Sequence, residues 1–423
     1  MTTPKTRFVT KVGVSLGIFL IVTLIVLRPH LSSLPAEKRT VPNDSLYPSQ
    51  LSFYHPGGHV AATTRSYQAA WKDLDIRPGI TLDIERAWSI TTGSRRVVVA
   101  LLDDGFFYQH EDLAANIWKN PGESGFDANG YPKETNGIDD DHNGYIDDVM
   151  GWDFVFNDPD PDPYIFDGTD RSRIQPYRHS VSAMGIIGAQ GNNGIGVAGI
   201  NWQVSMMLLK IGAQGVKMSE IDDQRIERAV RAIRYAADNG ARVINWSGFV
   251  NDDRPDKLAT LKDAIRYAAS KNVLLVAGAG NDGRDIDRAE NCLYPQCIES
   301  ENIVNVAEVD FKGELYEYKF DGQTRGSNWG IRRVQIAAIG DNFTTSLKDN
   351  RSVYEVSGGT SSAAPVVSGV AGLVLSARPT LTAVQLREVL MKSVTPLDSL
   401  KGRITSGGVV NAYRAVNLAI TQY

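Results

Sequence analysis

The sequence predicts an α/β protein: a mostly parallel central sheet with helices on both faces, preceded by one N-terminal membrane helix. Three observations predict it. Five runs, among them "RRVVVALL" and "NVLLVAGAG", are continuously apolar and rich in β-branched residues, as strands buried on both faces are. Stretches of helical period lie between them, and alternating strand and helix is the pattern of a parallel sheet. Near the start, the 16 residues Val12–Leu27 carry no charge.

In chain order, residues 1–11 contain Lys5, Arg7 and Lys11, and Arg28 follows the apolar run. A spanning helix takes about 17–25 apolar residues, and cations at both ends of a shorter run can snorkel to the interface. No small-x-small cleavage site follows closely in "RPHLSSLPAEK". The expectation is an uncleaved signal anchor over 12–27, with 1–11 cytoplasmic and everything after Arg28 exported, periplasmic or extracellular. The alternative is secretion after removal of a signal peptide. Residues 28–66 carry five prolines and no lasting hydrophobic period, and read as a linker. Residues 67–423 read as one domain. "RRVVVALL", "QVSMMLLKI", "ARVINWS", "NVLLVAGAG" and "NIVNVAEV" supply its strands; "SEIDDQRIERAVRAIRYAADN" and "PDKLATLKDAIRYAASKN" supply helices between them.

Composition narrows the function classes. The 423 residues are 42% hydrophobic and 22% charged, enough for a large core. A net charge of -5 without a basic stripe argues against nucleic acid as a partner. The two cysteines, in "CLYPQC", have no nearby histidine, so zinc is not expected; a local disulfide or two buried thiols are.

Chemistry in parallel α/β sheets collects at the C-terminal ends of the strands. Asp103 follows the first buried strand directly. The stretch "VLLVAGAGNDG" takes its buried strand out through Gly280 and Asn281; the small residue admits a substrate or another backbone, and the amide can donate. In "VSGGTSSAAPVVSGVAGLVLSARP", Ser361 opens a helix that is apolar on nearly every side and therefore buried. Ser361 then sits beside unpaired backbone N–H groups at the positive end of the helix, a suitable place for a nucleophile whose product is an oxyanion.

Together these stretches resemble the subtilisin-like serine proteases, whose chain order is Asp, His, Ser. Asp103-Asp104-Gly105 followed by "HEDL", Gly359-Thr360-Ser361-Ser362-Ala363-Ala364-Pro365, "AGND" around Asn281 and the closing "GGVVNAYRAV" carry the resemblance, over roughly residues 68–420. Ser362 stands where the family's serine motif has methionine. The family's His-Gly-Thr-His-Val-Ala-Gly corresponds here to His179-Ser180-Val181-Ser182-Ala183-Met184-Gly185, with only the first histidine and the last glycine retained. The resemblance implies a serine endopeptidase acting on protein or peptide, with Ser361 as nucleophile, His179 as base, Asp103 orienting it and Asn281 in the oxyanion hole. Ser247, Gly248 and Gly280 would line the substrate groove, although Phe249 falls where a glycine is expected. The rebuilt histidine motif keeps a second reading open: a catalytically silent module that holds peptides in the same groove.

Calcium is the expected cofactor. In "NGIDDDHNGYIDD", Asp139, Asp141, Asn143 and Asp147 occupy positions 1, 3, 5 and 9 of an EF-hand-like loop with Gly144 at position 6 and no acid at position 12. By resemblance alone, Asp112 with backbone near Asn193, Ile195 and Val197 would form a second calcium site.

Overall fold

In the strand Gly93–Asp103, Val99 and Leu101 enter one buried cluster while Ala100 and Leu102 enter the other. Successive side chains of a strand alternate, so this strand is covered on both faces, as its unbroken apolar run predicts. The computed structural model describes residue 1 and residues 38–60, 74–162, 178–212, 224–250, 254–320 and 322–423. The expected membrane helix over 12–27 lies outside the described residues. Among the described residues one helix, Thr360–Ala377, is long and apolar enough to cross a membrane, and 83% of it is buried.

Strands β1 (Gly58–Val60) and β2 (Leu74–Ile76) pair antiparallel outside the main sheet. The main strands are β3 (Gly93–Asp103), β4 (Gly151–Asp153), β5 (Gln203–Lys210), β6 (Val243–Trp246), β7 (Leu274–Gly278) and β8 (Ile303–Val309). After the small pair β9 (Glu317–Phe320) and β10 (Gln323–Gly326) come β11 (Ile336–Ile339), the ribbon β12 (Asn342–Lys348) and β13 (Arg351–Ser357), and short β14 (Thr395–Pro396) and β15 (Gly408–Val409). The nine-stranded sheet runs β14-β15-β11-β8-β7-β6-β3-β5-β4, and only the edge pair β14–β15 is antiparallel.

Helices α1 (Ile84–Trp88), α2 (His179–Gly188), α3 (Arg225–Asp238), α4 (Pro255–Ser270), α5 (Thr360–Ala377), α6 (Ala383–Lys392) and α7 (Ala412–Gln422) complete the layers. Ile226, Ala229, Ile233 and Ala236 of α3 recur at helical spacing and face the cluster that holds Ala100 and Leu102. Helices α2, α5 and α7 enter the other cluster. Helix α5 is its centre, and Gly369 lets it come close: a Cβ there would sit 2.9 Å from Ile200.

The N-terminal part of the expected linker is a correction. Residues 40–423 form one compact unit, and Leu46, Tyr47, Leu51 and Phe53 are buried in the core. Gln50 holds Ala198 by both ends of its side-chain amide, at 2.9 Å each, and the Tyr47 hydroxyl donates to Glu85 at 3.1 Å. The segment has no repeating element, so its apolar residues show no period. Each is placed by its own tertiary contacts.

Candidate active site

Asp103 ends β3, His179 opens α2 and Ser361 is the second residue of α5, so all three lie at the C-terminal edge of the parallel strands. Nδ1 of His179 is 2.8 and 3.0 Å from the two carboxylate oxygens of Asp103. With Nδ1 protonated it donates to Asp103 and leaves Nε2 as the basic atom. Burial disfavours the imidazolium, but the charge and hydrogen bond of Asp103 outweigh it and raise the His179 pKa above its ordinary value. Asp103 is itself buried and accepts the Asp104 N–H at 2.8 Å.

The unfamiliar residues after His179 carry structural bonds. The Ser180 hydroxyl donates to the carbonyl of Gly105, tying the start of α2 to the turn after Asp103. Thr345 and Thr344 of β12 donate to the carbonyls of Val181 and Ser182 at 2.7 and 3.2 Å. Thus the start of α2 is held by hydrogen bonds from its own serine and from β12.

The serine is held by a consequence of Pro365. Proline has no N–H, so the Ser361 carbonyl four residues earlier lacks its helical partner. It accepts the Ser247 hydroxyl at 2.9 Å instead, and the Ser361 hydroxyl donates to the Ser247 carbonyl at 2.9 Å. Asn245 supports Ser247 at 3.0 Å and is held by Ser368 at 2.8 Å. The Asn281 carbonyl oxygen accepts the Thr360 N–H at 2.9 Å, which leaves its NH2 as the donor. Gly359 lies beside it at φ +87°, a conformation that suits glycine.

The structure thus brings Ser247 and Asn281 against the Ser361 turn. Gly248 takes a bond on its carbonyl from Gln296 at 3.1 Å, and Phe249 is exposed. Gly280 donates its N–H to Thr360 at 3.1 Å and has φ +99°; a Cβ there would meet Asn328 at 2.5 Å. Two acids were given no role by the sequence. Asp104 pairs with Arg225 at 3.3 Å, and burial, then the Asp103 charge, raises its pKa. Glu308, buried at the end of β8, accepts the Gly359 N–H at 2.9 Å, and burial pushes its pKa up to about 8. Glu308 is hidden in an apolar strand, where the only signal was a carboxylate inside "NIVNVAEV". Cys292 and Cys297 are joined as a disulfide.

Of the acidic-loop residues, Asp139 and Asp141 approach one another, but their third partner is Glu123 rather than Asp147; the ligand atoms of the three lie within 4.8 Å of each other. Both oxygens of Asp147 accept the Gly137 N–H instead. Asn143 donates to Asp148 at 3.0 Å and to Asp141 at 3.2 Å. Glu123 is fully buried and its Oε2 has no partner, which fits a cation. At the second locus Asp112 accepts from Asn193 at 2.8 Å and from the Val197 N–H at 2.9 Å, while Asn193 accepts the Ile195 N–H at 2.9 Å. Burial raises the Asp112 pKa to about 7, and the neighbouring charge of Asp44 adds to it. Asp44, from the N-terminal segment, is buried with one oxygen unpartnered, which fits a cation beside it.

A profile described as "Subtilase family" matches residues 94–413. The chain belongs to the subtilase family. It is 30% identical over 387 residues to Subtilisin-like protease 1 of Plasmodium vivax, covering 88% of this chain and 56% of that protein. It is 28% identical over 333 residues to the Thermophilic serine proteinase of Bacillus sp. (strain AK1), covering 78% of this chain and 64% of that one. The chain thus spans about half the length of the first of these curated relatives. Among solved structures, a protease from Pseudoalteromonas arctica PAMC 21717 aligns with TM-score 0.60 and 26% identity, over 90% of this chain and 100% of that one. Fervidolysin from Fervidobacterium pennivorans, at TM-score 0.56 and 20% identity over 90% of this chain and half of its own, shares the fold.

Proposed function

We propose that this subtilase is a serine endopeptidase that cleaves protein or peptide substrates through Asp103, His179 and Ser361. The observation that carries the reading is the Asp103–His179 pair at 2.8 Å, set at the strand ends together with a serine at the N-terminus of a buried helix. Ser361 Oγ attacks the scissile carbonyl as its proton passes to His179 Nε2. Asp103 keeps the ring in the tautomer that accepts there, and stabilises the imidazolium. The NH2 of Asn281 and the N–H of Ser361 receive the developing oxyanion. His179 then returns the proton to the leaving amine, and water releases the acyl group by the same steps in reverse order. An extended substrate adds along Ser247 and Gly248 as a strand.

Calcium is the ion that suits the two carboxylate sites, through oxygens of Glu123, Asp139 and Asp141 and of Asp44 and Asp112. Bound there, it would neutralise buried carboxylates and fasten the loops that carry them. Residues 12–27 would anchor the enzyme with the catalytic unit exported, or be removed on secretion.

Labelling of the intact protein with a fluorophosphonate, followed by peptide mapping, tests the reading. An adduct on Ser361 that is lost in His179→Ala is the expected result. A folded, calcium-loaded protein that takes no label and cleaves no peptide would instead be a silent peptide-holding module.

A further inference from the structure

Ser362, the residue after the nucleophile, is 1% exposed, and its hydroxyl accepts from Asn342 Nδ2 at 3.1 Å. Asn342 is fully buried at the start of β12. Its Nδ2 also faces the carbonyls of Ile339 and Gly340, at 3.0 and 2.9 Å, which end β11 and lead out of it. Its Oδ1 accepts the hydroxyl of Ser52 at 2.6 Å, and Ser52 is itself buried. One amide therefore joins three segments: the N-terminal stretch, the exit of β11 and the turn that carries Ser361.

We propose that Asn342 is a positioning residue for Ser361 and that Ser52 sets Asn342, so that docking of residues 40–53 completes the active site. This rests on the reading of Ser361 as nucleophile. Ser361 lies between two buried supports. On one side Glu308 holds the Gly359 N–H at 2.9 Å. On the other Asn342 holds Ser362. Both supports meet at Gly340, whose carbonyl accepts from Asn342 and where a Cβ would come within 2.0 Å of Glu308 Oε1. A turn gripped on both sides of one residue fixes the direction of that residue's Cα–Cβ bond. The far end of the chain of bonds is Ser52, 290 positions before Asn342, and its neighbours Gln50 and Phe53 are locked into the fold. Ser362, where the family's motif has methionine, takes Asn342 as the partner of its hydroxyl, and Asn342 is oriented by a hydroxyl that the N-terminal segment supplies. Misplacing a reacting atom by about 1 Å can cost about 100-fold in rate, so a support one residue from the nucleophile acts on turnover rather than on substrate affinity.

The test measures the rate of fluorophosphonate addition to Ser361, with kcat, KM and thermal midpoint, in the full chain carrying Ser52→Ala, Asn342→Ala, both together, and Ser52→Thr. Asn342→Ala is expected to slow labelling and kcat by about 10- to 100-fold, Ser52→Ala by less, each with KM within about twofold. The double variant should match Asn342→Ala alone, because Ser52 acts through Asn342. Ser52→Thr, which keeps the hydroxyl, should restore the rate. Unchanged labelling in folded variants, or losses that multiply in the double variant, would overturn the proposal. If Asn342→Ala fails to fold, Ser52→Ala and Ser362→Ala cut the same chain at its two ends; strictly multiplicative effects on the labelling rate would overturn it, and a double variant no slower than the slower single would support it. Peptide mapping of the wild type separates the two failures: active enzyme labelled elsewhere than Ser361 removes the nucleophile assignment and this proposal with it.

Discussion

The histidine and serine turns do comparable work, yet this chain treats them differently. Around Ser361 the motif Gly359-Thr360-Ser361 keeps the family's pattern; after His179 it is mostly replaced. The contacts explain why. A Cβ at Gly278 would lie 2.8 Å from the Thr360 carbonyl, and Gly359 has φ +87°, so the serine turn is a close backbone fit that few residues satisfy. The replaced positions of the histidine turn are held by hydrogen bonds, from Ser180 to Gly105 and from Thr344 and Thr345 to α2, while the one glycine kept there, Gly185, is again a close fit, since a Cβ would clash with Thr344 and Thr345. Hydrogen bonds can be supplied by other residues from other directions, whereas excluded volume cannot be negotiated. The difference shows which motif positions recognise chemistry and which only recognise space.

The largest effect that would sharpen this contrast is His179→Ala. It should reduce kcat by about 10⁶-fold, the scale seen when one member of such a unit is removed, with Ser361→Ala equal to it and the double variant no worse. Steady-state hydrolysis of a peptide substrate measures this, and a multiplicative double loss would show that the two turns do not act as one device.

Next is the cation. Asp112 and Asp44 hold the loop that follows α2, so the histidine half should lean on calcium. Chelation should remove about 2.7 kcal/mol when the free ion had stood 100-fold above its Kd, read as a lower thermal midpoint. Glu123→Gln should leave a smaller response. An unchanged midpoint in stripped protein argues against both sites.

Ser180→Ala leaves the Gly105 carbonyl unpaired and should cost about 1–3 kcal/mol of stability, checked by denaturant unfolding. If it costs nothing, the histidine turn is held by packing after all and the contrast collapses.

The last effect concerns pH. Glu308 has its folded pKa raised to about 8 from an ordinary 4.5, so the folded state binds its proton more tightly than the unfolded state. Its stabilising contribution is present below about pH 4.5 and is lost as pH rises toward 8. Glu308→Gln should therefore flatten the decline in thermal midpoint between pH 5 and pH 8. An identical slope in the variant would mean that Glu308 titrates as an ordinary surface acid.

By itself the sequence determined the layered α/β architecture, because short β-branched apolar runs such as 97–102 alternate with stretches of helical period, the pattern of strands buried on both faces of a parallel sheet. It also placed Asp103, Asn281 and Ser361 at strand ends or a helix start, and the resemblance of their motifs and that of His179 to the subtilisin-like serine proteases is what implies the proposed chemistry. What only the tertiary structure decided is what holds them. Ser52 and Asn342 are 290 positions apart, Glu308 reaches Gly359 from another strand, and Glu123 displaces Asp147 from the acidic group across a loop. Those bonds have no period and no motif. A buried polar group takes whichever partner the fold brings within about 3 Å, and that distance is a property of the folded chain, not of the order of its residues.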